Sequence, residues 1–146
     1  MKRLLALVLV AGAFPALAAS PKWVQVSSGQ DDGSLHTEYV IPSSIKSILG
    51  NYRTAFVRVT YSPAIPASLG AGAIAYTISE TMVDCNSYSW GNKVQIAFDP
   101  QGKPVSSDLG EYDTTKPVWT LKNMDKLAPS DITYRTAQFI CSARIS

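Results

Sequence analysis

The chain has 146 residues, with 13 Lys and Arg against 11 Asp and Glu, 46% apolar residues, one histidine and two cysteines. A chain so close to neutral exerts no general field on nucleic acid or anionic lipid, and neither is expected as a partner. One imidazole and two thiols are also too few ligands for a structural zinc site and supply no ready base for a catalytic cysteine, so no metal, cofactor or enzyme activity is expected.

The opening "MKRLLALVLVAGAFPALA" reads as a secretory signal. Lys2 and Arg3 precede an apolar run over residues 4–14, and Ala16-Leu17-Ala18 offers small residues for cleavage. The run is shorter than the roughly 20 residues a bilayer requires. Residues 1–18 are expected to be removed, leaving residues 19–146 as one domain. Lys2 and Arg3 leave with the signal, so 13 basic groups become 11 against 11 acidic ones. No cysteine near the cleavage point can carry lipid, and no later segment is apolar enough to anchor. The expected location is the periplasm or the exterior, and not as a lipoprotein.

Period-two alternation then marks half-buried strands. "WVQV" (23–26) is a short first strand, and "SSGQDDGS" (27–34) is a turn-rich connection. Asp31-Asp32-Gly33 lacks the spaced carboxylates of a calcium loop and reads as a turn. "LHTEYVI" (35–41) puts Leu35, Thr37, Tyr39 and Ile41 on one face, with His36 and Glu38 on a polar, solvated face. In "PSSIKSILG" (42–50), Ile45, Ile48 and Leu49 fall at helical spacing between a serine cap and Gly50, which predicts one or two helical turns. "RTAFVRVTY" (53–61) is a strong strand, and "SPAIPASLGAGA" (62–73) is a loop by its Pro and Gly content.

"IAYTISETMVDC" (74–85) returns to alternation, with Ile74, Tyr76, Ile78 and Met82 on one face. Tyr88, Trp90, Val94, Ile96 and Phe98 share one parity, which favours a single strand bulged at Gly91 over a hairpin turn at Gly91-Asn92. Asp99-Pro100-Gln101-Gly102 suits a type I turn, and residues 105–108 return as a strand. "KPVWTL" (116–121) is a docking segment carrying Trp119, which with Trp23 is expected in the core. Residues 131–142 form a helix capped by Ser130, with Ile132, Thr136, Phe139, Ile140 and Ala143 on its buried face.

Two cysteines in an oxidising compartment pair, so Cys85 and Cys141 are expected to form a disulfide rather than a catalytic or metal site. It ties the last helix to the strand ending at Cys85. The fold class is α+β: one antiparallel sheet of about five to six strands, covered on one face by a C-terminal helix. Tyr88 and Trp90 are candidate protein-binding anchors, since such rings are enriched at hot spots; their shared parity with Val94 and Ile96 argues for the core instead.

The succession of Trp23, "DDG", "YVIPSSI", "RTAFVRV", "SETMVDC", "FDPQGKPV", "VWTL" and "APSDITYRTAQFIC" resembles the surface-adhesin protein E family of Gram-negative bacteria, over residues 23–141. The resemblance implies a sheet backed by a C-terminal helix, and binding of host extracellular-matrix or plasma proteins by a surface lipoprotein. This sequence departs from that pattern in lacking the lipidation cysteine. A non-enzymatic exported binding protein with an unidentified protein partner is therefore the first expectation, with homodimer formation through an edge strand as one mode. A periplasmic inhibitor or accessory protein, for example of a hydrolase such as lysozyme, and a small-ligand carrier using an aromatic sheet face are the alternatives.

Overall fold

A computed structural model describes residues 20–67, 72–116 and 120–145. The expected signal segment and Trp119 lie outside the described residues. Strands β1 (Val24–Asp31) and β2 (Ser34–Val40) form a hairpin, followed by a 3-10 turn (Pro42–Ser44) and the short β3 (Lys46–Ser47). Then come β4 (Tyr52–Pro66), β5 (Ala73–Asp84), β6 (Ser89–Phe98) and β7 (Pro104–Leu109). The two-residue strands β8 (Tyr112–Asp113), β9 (Thr120–Leu121) and β10 (Asp125–Lys126) precede the single helix α1 (Ile132–Ser142).

The main sheet is antiparallel in the order β1-β2-β4-β5-β6-β10, with β3 added to β4 and β7 to β6. It is curled, and α1 lies on one face. The expected α+β plan with a Cys85–Cys141 bridge is what the structure shows: the sulfurs are 2.02 Å apart and the Cα atoms 5.5 Å apart.

Alternation decides which side chains the helix covers. Val40 of β2, Ala55 and Val57 of β4, and Val83 of β5 meet Ala137 and Ile140 of α1 in one buried cluster. Arg53 fastens the far end of the helix, its Nη1 donating to the carbonyls of Ile140 (2.7 Å) and Ala143 (2.8 Å). Those carbonyls would otherwise lack partners at the helix terminus.

Several expectations change. Residues 27–34 are not a long connection: β1 continues to Asp31, and only Asp32 (φ 47°) and Gly33 (φ 79°) turn the chain, both left-handed as a two-residue type I′ hairpin requires. Gly29 makes room for the helix, since a Cβ there would lie 2.8 Å from Ile132 Cγ1. Residues 45–49 form no helix. The chain makes one 3-10 turn after Pro42, held by Ser44 Oγ donating to the Ile41 carbonyl (2.6 Å), and then pairs as β3. β4 runs on to Pro66 through an irregularity between Thr60 and Ile65, so residues 62–66 of the expected 62–73 loop are strand. The helix begins one residue later than expected, and Asp131 rather than Ser130 occupies the capping position, its Oδ2 accepting from the Ala128 N–H (2.6 Å).

The polar face of β2 is also reassigned. His36 and Glu38 share the helix-facing side with Val40, and Glu38 is only 3% exposed. The helix makes this tolerable by supplying hydroxyls. Thr133 Oγ1 donates to Glu38 Oε1 (2.7 Å), while Ser27 Oγ (3.2 Å) and Thr136 Oγ1 donate to Oε2. A buried carboxylate so bonded avoids most of the penalty of an unpartnered one.

Candidate functional site

The register of the sheet places three rows of side chains across the face opposite the helix. One runs Tyr39–Arg58–Ile78–Ile96–Ser107, the next Phe56–Glu80–Val94–Leu109, and the third Thr37–Thr60–Tyr76–Phe98–Pro104. Two pieces of chain border this face. At one end the 3-10 turn and β3 run on along the edge of β4 that β2 also uses, with Ser44 Oγ accepting from the Phe56 N–H (2.9 Å). At the other, Leu121 of β9 descends onto β6. Gly91 makes room for it, because a Cβ there would lie 2.7 Å from Leu121 Cδ1. Met82, which pairs with Gly91, is consequently 1% exposed.

Between these ends the face is uncovered. Leu109 is 77% exposed, Phe56 43%, Leu35 40% and Ile96 36%. Tyr76 and Phe98 stack across the strands at 4.7 Å with planes 9° apart. The Glu80 carboxylate is tied to Lys93 Nζ across β5 and β6. Arg58 stands under two rings, its Cζ 5.1 Å from the Trp23 centroid and 4.7 Å from that of Tyr39. Trp23, expected in the core, therefore belongs to this face as a half-buried lid on Arg58.

The residues singled out from sequence are dispersed. Cys85 and Cys141 are joined and act as a staple. Tyr88 and Trp90 do not share a face with Val94, Ile96 and Phe98. The strand is single, but the register slips by one residue opposite Glu80 and Thr81, leaving Lys93 as the extra residue, two positions beyond Gly91. Trp90, paired with Val83, thus points to the helix side and packs against the core. Tyr88 sits in the preceding turn with φ 52°, a costly region for a bulky residue. It is held by its ring 5.0 Å from that of Tyr134 and by its carbonyl accepting from the Leu127 N–H (3.1 Å).

His36 also falls on the helix side, edge-on to Tyr61 at 4.7 Å. Burial pushes the Tyr61 hydroxyl above its usual range; the nearby Thr77 hydroxyl opposes the shift and the charge of Glu38 adds to it. Among the described residues no three of His, Cys, Asp and Glu cluster as metal ligands, and no helix is long and apolar enough to cross a membrane.

Sequence reading missed the open face itself. The signal was present: Arg58 is the one charge in the "AFVRVTY" run, on the same parity as Phe56.

Sheet, helix and bridge define an α+β domain with one face closed and one open. No protein-family model matches the chain, and no curated relative matches it. Among solved structures it is similar to one described as the structure of Haemophilus influenzae protein E, at 14% sequence identity and a TM-score of 0.47, over 89% of this chain and 90% of that one.

Proposed function

We propose that this is a non-enzymatic exported binding protein that recognises a protein partner across the open face of its sheet, with host extracellular-matrix or plasma proteins as the partner class. The observation that carries the reading is the run of large apolar side chains left in solvent on one face, with Leu109 77% and Phe56 43% exposed. Contiguous apolar surface of this kind marks contact sites, and burying it on association is favourable at about 25 cal/mol per Å² before ordering costs. The sequence resemblance to the surface-adhesin protein E family implies the same class of partner. Strand β7 adds a second element: among the described residues its outer edge pairs with no strand, so a second copy or a partner strand can be added there.

The test is binding of the purified, signal-free protein to a panel of immobilised extracellular-matrix and plasma proteins. An Ile96→Ser, Leu109→Ser double variant is expected to lose at least tenfold in affinity, whereas Gln138→Ser on the exposed side of α1 is expected to bind as wild type. Wild-type protein that binds nothing in the panel, or a double variant that binds equally well, would refute the reading.

A further inference from the structure

The best-prepared group on the open face is Arg58. Its guanidinium is held by two aromatic rings and by nothing else. Among the described residues it makes no ion pair or hydrogen bond, and its Nε is buried without an acceptor. Its neighbours along and across the rows are Phe56, Thr60, Tyr39 and Ile78, none of which is charged. The carboxylate nearest in register, Glu80, is already taken by Lys93. A guanidinium presented in this way has a fixed plane, and its terminal N–H groups form a fork that matches a carboxylate.

Beside it lies a cavity of about 470 Å³, lined by Pro21, Trp23, Ile41, Lys46, Phe56 and Glu80 among others. That is within the range of small-molecule sites. Trp23 belongs to both features, and Phe56 stands two residues before Arg58 on the same strand and face, about 7 Å away by strand geometry. The lining is mainly apolar, with Lys46 contributing a positive charge and Glu80 already paired.

We propose that this is a binding site for a small amphipathic carboxylate, with the acid head on Arg58 and the apolar body in the cavity under Trp23 and Phe56. Charge complementarity selects the ligand class: Arg58, which has no anion among the described residues, and Lys46 stand on a mainly apolar surface, so an anionic head must accompany an apolar body. A neutral molecule of the same shape leaves the guanidinium desolvated with no acceptor, and a cationic one is repelled. The inference is independent of the protein-partner reading and goes beyond it.

The experiment titrates decanoate, below its micelle concentration, into the disulfide-bonded, signal-free protein. Heat of binding and tryptophan fluorescence are followed, with decanol as the neutral control. Saturable binding of one decanoate per chain is expected, with decanol at least tenfold weaker, the difference a charge-assisted hydrogen-bond pair supports. Arg58→Gln is expected to bring decanoate down to the level of decanol. Arg58→Lys, which keeps the charge but loses the planar fork, should fall between. Phe56→Ser should weaken both ligands by the same factor. No saturable decanoate binding, equal affinity for decanoate and decanol, or full affinity in a folded Arg58→Gln protein would each overturn the proposal. The wild-type comparison of acid and alcohol decides the matter even if an Arg58 variant fails to fold.

Discussion

The two faces of this sheet are made from the same strands and yet carry opposite chemistry. On the helix side, small and β-branched residues pack Val40, Ala55, Val57 and Val83 against Ala137 and Ile140, and the charged group Glu38 is enclosed and fully bonded by hydroxyls. On the other side, larger side chains such as Phe56, Ile96 and Leu109 stand in solvent, and a charge, Arg58, is left without an anion among the described residues. On the closed face the Glu38 carboxylate is satisfied by hydroxyls of β1 and the helix. The open face leaves apolar side chains in solvent and the Arg58 guanidinium without an acceptor among the described residues. The contrast teaches that residue type alone does not mark the working surface: a glutamate is structural here, and an isoleucine is available for contact.

The comparison is broken most severely by removing the staple. Cys85 and Cys141 are 56 residues apart, and opening that loop costs roughly 4 kcal/mol in the chain-entropy model. A Cys85→Ser, Cys141→Ser protein should therefore show a large drop in denaturant midpoint. Next, Ile140→Ala, at a fully buried position, should destabilise by about 2–5 kcal/mol, and Glu38→Ala by about 1–3 kcal/mol through the stranded hydroxyls of Ser27, Thr133 and Thr136. Gly91→Ala forces Leu121 away from β6 and should cost about 1–3 kcal/mol, read by thermal unfolding.

Tyr61 sharpens the comparison through pH. Its hydroxyl titrates above the usual value of 10.0 in the folded protein, so the unfolded chain loses that proton first. The stabilisation is complete below about pH 10 and is lost as pH rises through the folded value. Wild-type protein should thus lose stability above pH 10 more steeply than Tyr61→Phe, measured by denaturant melts from pH 9 to 11. The smallest stability effect belongs to the open face: Ile96→Ser and Leu109→Ser should each shift stability by only about 0.5 kcal/mol.

Much of the closed side could be read from the chain. The helix over residues 131–142, its buried face, the bridge, and the strands at 53–61 and 74–85 all follow from period and composition, and they recur in place. The misread stretches have particular causes. "SSGQDDGS" looked like a loop because Ser27 and Gly29 are polar and small. They are so because the helix lies on them, Ser27 bonding Glu38 and Gly29 yielding to Ile132. His36 and Glu38 looked solvated because nothing local announces that Thr133 and Thr136, about a hundred residues away, will bond the carboxylate. Ile45, Ile48 and Leu49 have helical spacing, but only Ile45 reaches the core, at 8% exposure, while Ile48 is 38% and Leu49 63% exposed before β4. The parity of residues 88–98 was broken by one extra residue, Lys93, and a bulge of that kind moves every later side chain to the other face. The proposed Arg58 site depends on Trp23, just before β1, and Tyr39 of β2 meeting over β4, a long-range event that a single run of sequence does not display.

Hydroxyl-radical footprinting of residues 19–146, free and bound to a surface coated with extracellular-matrix protein, tests the proposed division of labour between the faces directly. Protection is expected at Phe56, Ile96 and Leu109, with Arg135 and Gln138 on the outside of the helix modified as in the free protein. Protection confined to the helix, with those three side chains equally reactive in both states, would contradict it.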